Sequence, residues 1–172
     1  MKNIYQKILF PMIAILVLIG CKEPKSTESY TMMTILGTYS VDIESQKQGE
    51  NPKSDLWFEH KDKNSFNLVP THGMSMAIVD SKKLSNISKE FIVQHPLEKK
   101  EIGKDKLTVG KIIIFKTGEG HYGKLQIKGY RSLHDFNFPE AKTYLKERWK
   151  RSALSSDDSS KYNMVVAYKI YK

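Results

Sequence analysis

The chain has 172 residues, with 28 Lys and Arg against 19 Asp and Glu, for a formal net charge of +9. One cysteine among them excludes an intramolecular disulfide framework. The positive charge is dispersed and interleaved with acids, the pattern of a solvated lysine-rich surface rather than a nucleic-acid-binding stripe.

The N-terminus reads MKNIYQKILFPMIAILVLIGCKEP. Lys2 and Lys7 form a basic flank, Ile8 to Ile19 an uncharged apolar run, and Leu18-Ile19-Gly20 lead into Cys21. That order is the order of an export signal, residues 1–20. The apolar run is shorter than the roughly 20 residues a transmembrane helix needs. Leu18-Ile19-Gly20-Cys21 resembles the lipobox of bacterial lipoproteins. The resemblance implies cleavage before Cys21 and lipidation of its thiol and amine, with palmitate among the acyl chains. Two or more acyl chains anchor a protein stably, whereas one binds a bilayer only marginally. Cleavage would leave 152 residues and remove Lys2 and Lys7 but no acid, so the net charge falls to +7. Residues 21–29, rich in Lys, Glu, Ser and Pro, read as a lipidated tether, and residues 30–172 as a single domain. The expected location is the bacterial cell envelope, on the outer membrane, with no nucleic-acid partner.

Tyr30 to Asp42 is rich in Thr, Tyr, Ile and Val and predicts one strand, with a candidate bulge at Gly37. Ser45 to Ser54 reads as a loop. Asp55 to His60 and Ser65 to Pro70 flank the turn-like KDKN and predict a hairpin. Gly73 to Asp80 predicts a further strand, and Ser81 to Asp105 a short helix or irregular segment. Four apolar residues at Ile112 to Phe115 predict a strand buried on both faces. Across the turn Thr117-Gly118-Glu119-Gly120 the chain returns with Leu125 and Ile127 facing one way. Lys124, Gln126, Lys128 and Tyr130 are expected to face the other. Asn137 to Arg151 carries a helix signature, with Pro139 in the first turn and basic residues at its end. The final segment, KYNMVVAYKIYK, alternates Met164, Val166, Tyr168 and Ile170 with Val165, Ala167, Lys169 and Tyr171, as a closing strand does. The class is mainly antiparallel β or α+β.

The motifs of catalysis are absent: no G-x-S-x-G elbow, no H-E-x-x-H, no phosphate-binding glycine loop. A non-enzymatic protein is the expectation. If Thr71 to Met76 were extended, His72, Met74 and Met76 would share a face, and an imidazole with thioethers suits copper(I) or haem iron. The same residues also read as a core-facing methionine row with a wet end at His72. Trp57, Tyr122 and Tyr130 are the candidate ligand-contact aromatics, with core packing as the alternative. His121, first after the turn, reads as a surface turn residue without a partner ligand.

The segment KIIIFKTGEGHYGKLQI, with the lipobox and the terminal strand, resembles Bacteroidetes secreted β-rich lipoproteins, including the HmuY-like haem-binding group. About twenty residues carry that resemblance, and it implies architecture rather than ligand. The expected function is therefore an envelope-anchored lipoprotein whose β-rich domain binds a small ligand or an envelope protein. Capture of haem or a metal is one alternative. A structural part in outer-membrane assembly is the other.

Overall fold

The computed structural model describes residues 28–49, 51–62, 65–132 and 162–172. Cys21, the signal segment and the helix expected at Asn137 to Arg151 lie outside the described residues. Ten strands are described: β1 (Thr31–Ile35), β2 (Ser40–Asp42), β3 (Lys47–Gln48), β4 (Leu56–Asp62), β5 (Ser65–Pro70), β6 (Ser75–Val79), β7 (Ile102–Gly103), β8 (Ile112–Lys116), β9 (Tyr122–Arg131) and β10 (Asn163–Tyr171). They form two sheets, ordered β1-β10-β9-β8-β6 and β3-β2-β4-β5-β7, with every pairing antiparallel. The mainly antiparallel β class read from the sequence is the class observed. The described residues hold only one short α-helix, α1 (Lys89–Gln94), capped by the Ser88 side chain accepting from Phe91 N–H. No helix among the described residues is long and apolar enough to cross a membrane.

The sheets pack face to face. Ile35, Ile113, Phe115, Leu125, Ile127, Met164 and Val166 from the first meet Val41, Leu56, Phe58, Phe66 and Leu68 from the second. Burying one such side chain stabilises the fold by about 1.5–3 kcal/mol, so this shared layer is the main cohesive element. A second core lies on the outer face of the first sheet. There Ile112, Ile114 and Ala167 are covered by Leu84, Ile87 and Ile92. Strand β8 is thus apolar on both faces for the reason its unbroken run implied.

Three departures from the sequence expectation have physical causes. The single strand expected over Tyr30 to Asp42 is two strands, one in each sheet. The chain crosses between them at Gly37, where an added Cβ would stand 2.4 Å from the Tyr162 carbonyl oxygen, and at Thr38, whose φ is +64°. Tyr130 does not continue the polar face of β9. The register with β10 shifts between Val165 and Val166, leaving Lys128 without an opposite residue. That bulge flips the alternation and turns Tyr130 inward against Phe58 and Phe66. Lys124 and Gln126 do face away from the shared core, as alternation requires, but neither is exposed, because the 84–92 segment covers that face.

Lys124 is fully buried, and its ammonium is neutralised there. Its Nζ donates to Glu28 at 2.8 Å and to the Ile87 carbonyl, and sits over the rings of Tyr30 and Tyr171 at 5.6 and 5.5 Å. Glu28 also accepts from Lys169 at 2.9 Å, from Tyr171 at 3.0 Å and from the Tyr30 hydroxyl. Desolvation alone would raise the Glu28 pKa. The hydrogen bonds from Lys124, Tyr30, Lys169 and Tyr171 outweigh it and hold the carboxyl at about 2. For Lys124 desolvation prevails over the Glu28 charge and lowers its pKa.

Candidate functional site

The tip of the β8–β9 hairpin is wedged among three other connections of the chain. Asp55, just before β4, is 2% exposed, and its carboxylate accepts from Ile43 N–H at 3.1 Å and Gly118 N–H at 3.2 Å. Gly118 is required there, since a Cβ would stand 2.1 Å from the His72 carbonyl oxygen. His72 in turn lies on the β5–β6 turn with φ +47°, its Nδ1 2.8 Å from the Ser54 carbonyl oxygen. Burial pushes the Asp55 carboxyl up to about 6 against the pull of its two N–H donors, and the negative charges of Asp42 and Glu44 add to the rise.

Above Asp55 sits a polar triad. Glu44 follows β2, and both its carboxylate oxygens lie 2.9 Å from Nδ1 of His121. The buried Thr117 hydroxyl donates to Glu44 Oε1 at 2.8 Å, and its oxygen accepts from His121 N–H at 3.1 Å. Desolvation works to raise the Glu44 pKa, but the bonds from His121 and Thr117 prevail and lower it. Glu119 brings a third ligand group, and the donor atoms of Glu44, Glu119 and His121 all fall within 4.8 Å of one another. Nearby, Lys53 is 3.9 Å from Glu119, with both side chains exposed. Asp42 is occupied locally, accepting from Glu44 N–H, Ser45 N–H and the Ser45 hydroxyl. Among the described residues no hydroxyl meets Nε2 of His121.

The residues singled out from the sequence fall elsewhere. His72, Met74 and Met76 do not share a face. His72 is exposed on its turn, while Met74 at 1% and Met76 at 2% exposure belong to the core between the sheets. The positive φ at His72 and Gly73 breaks the extended run that a common face required. The three aromatics do not converge either. Trp57 projects from the outer face of the second sheet, Tyr122 packs on the second core with Lys116 above its ring, and Tyr130 is turned into the shared core. His121 is not the partnerless surface residue expected. The sequence showed Glu119 two positions before it, but Glu44 lies 77 residues earlier and carries no local signal.

A separate cleft of about 870 Å³ opens where the edges β6 and β7 of the two sheets approach. Met76, Ala77, Ile78 and Ile102 line it, with Lys100 and Glu101 among its charged residues. Backbone bonds in both directions between Met76 and Glu98 (2.9 and 3.1 Å) pin one wall. Trp57, Tyr122 and Tyr130 do not line it. No family model matches the chain, and no curated protein matches it.

Proposed function

We propose that this chain is a lipid-anchored protein of the bacterial envelope, non-enzymatic, whose β-sandwich holds a binding surface for a small ligand or an envelope protein on the outer membrane. The observation that carries this reading is the basic–apolar–Leu-Ile-Gly-Cys order ending at Cys21. Six residues lie between Cys21 and Glu28, where the polar network of the domain begins, a span of at most about 25 Å. The sandwich buries Met33, Met74, Met76 and Met164 together with Phe58, Phe66 and Phe115, so these apolar residues serve cohesion. The cleft between β6 and β7, with an apolar floor and charged residues around it, is the surface best suited to a ligand or partner.

Replacing Cys21 by Ala in cells tests the anchor. The expected outcome is loss of labelled palmitate and release of the protein from the membrane fraction. Retention of both in the variant would sink the reading.

A further inference from the structure

We propose that Glu44, Glu119 and His121 form a binding site for a first-row divalent cation of the zinc type. This goes beyond the anchoring reading and is independent of it, since it stands on the geometry of the folded domain alone.

Two carboxylates and an imidazole are the donor set of borderline cations. Hard cations such as Ca²⁺ favour oxygen alone, and soft copper(I) favours sulfur. The thioethers of Met74 and Met76 are sealed in the core, which leaves this nitrogen–oxygen set as the ligand group the described residues bring together. Around a tetrahedral Zn²⁺ with bonds near 2.0–2.2 Å, ligand atoms stand about 3.4 Å apart. The three donors, within 4.8 Å of one another, are already close to that spacing. The Glu44–His121 contact of 2.9 Å has to open slightly, and the Glu119 side chain has to swing in. Glu119 can do so: it is a long, exposed side chain between Gly118 and Gly120 on the hairpin tip.

Two further observations point to a cation. First, the Glu119 and Glu44 carboxylates lie within 4.8 Å of each other, with Asp42 and Asp55 adding negative charge nearby. Like charges so close repel unless a proton or a cation stands between them, and Lys53 approaches only at 3.9 Å from the solvent side. Second, the ligands are held from behind. The buried Thr117 hydroxyl fixes both the Glu44 carboxylate and the His121 backbone, as supporting residues do in metal centres.

Because an ionised carboxylate only accepts, Nδ1 of His121 carries the proton shared with Glu44. For the metal to take the Nδ1 lone pair, that proton moves through water to Nε2 of a neutral ring, or leaves an imidazolium to solvent. Protons therefore compete with the cation, and affinity rises with pH. Three protein ligands leave a fourth position for water or for a donor group on a partner.

The test is titration of the full chain, in detergent micelles, with Zn²⁺ against a competing chelating dye. The wild type is expected to bind one Zn²⁺ that His95→Ala retains. His121→Ala should lose it, and Glu119→Gln should weaken it by about tenfold or more. Glu119 is exposed, so an unchanged unfolding transition of Glu119→Gln separates lost ligation from lost folding. Absence of Zn²⁺ binding by the wild type, or equal binding by the wild type and a folded Glu119→Gln, overturns the proposal.

Discussion

Two charged networks in this domain use the same kinds of side chain to opposite ends. Around Glu28 one carboxylate meets two ammonium groups and two phenols, all within the cover of the second core. Around Glu44 several carboxylates crowd one imidazole and one distant lysine at a half-open surface. In the first network each charged group meets one of opposite sign, and the single carboxylate accepts from all four donors. The second carries surplus negative charge, and that surplus is what a binding site for a cation looks like before the cation arrives. Buried charge is therefore informative only after its partners are counted, because burial alone is common to both.

The largest expected effect breaks the closed network. Glu28→Ala leaves the Lys124 ammonium buried with only the Ile87 carbonyl and two aromatic faces, and should cost about 3 kcal/mol in urea unfolding at neutral pH. The sign with pH follows from the lowered pKa of Glu28. Its contribution is fully present above about 4.5 and is lost as pH falls toward about 2, and Glu28→Gln should abolish that acid limb. A variant as stable as the wild type would show that the clasp is decorative.

The open network should respond to pH with the opposite sign. Asp55 has a raised pKa, so the folded state holds its proton more tightly than the unfolded chain does. Its stabilising contribution is present below about 3.8 and is lost as pH rises through about 6. In chelator-containing buffer, the unfolding free energy of the wild type minus that of Asp55→Asn should fall by about 2–3 kcal/mol between pH 3.5 and 7. Parallel pH profiles for the two proteins would remove Asp55 from the account.

How much of this was legible beforehand differs between the two networks and the frame that holds them. The β4–β5 and β8–β9 hairpins and β10 were readable because alternation and turn chemistry are local. The double burial of β8 was readable from four consecutive apolar residues. The fate of Lys124 was not: a lysine on the polar face of a strand looks exposed until the segment carrying Ile87 and Ile92 folds over it. Tyr130 was misassigned because a one-residue bulge inverts every side chain beyond it, and Lys128 looks like any other strand lysine. Met74 and Met76 kept their strand periodicity, but His72 was lifted off it by a left-handed turn. The Glu44–His121 pair joins two connections far apart in the chain, so only the packed sheets reveal it.

The smallest expected effect sharpens the contrast at its edge. Lys53→Ala removes an exposed ion pair to Glu119, and stability should change by less than about 0.5 kcal/mol. Zn²⁺ affinity should nonetheless rise a few-fold, because the Lys53 ammonium that competes for Glu119 is gone. A fall in affinity would mean that Lys53 orients Glu119 rather than opposing the metal.

Under the anchoring at Cys21 proposed above, the placement of Glu28 would have a mechanical consequence. Tension arriving along such a leash would reach Glu28 before it reached β1, which is an edge strand and would peel from β10 one backbone pair at a time. Through Lys124 on β9 and Lys169 and Tyr171 on β10, the load passes instead to interior strands of the five-stranded sheet. On that proposal the edge would be relieved of force, and the load would fall on the strands hardest to pull out.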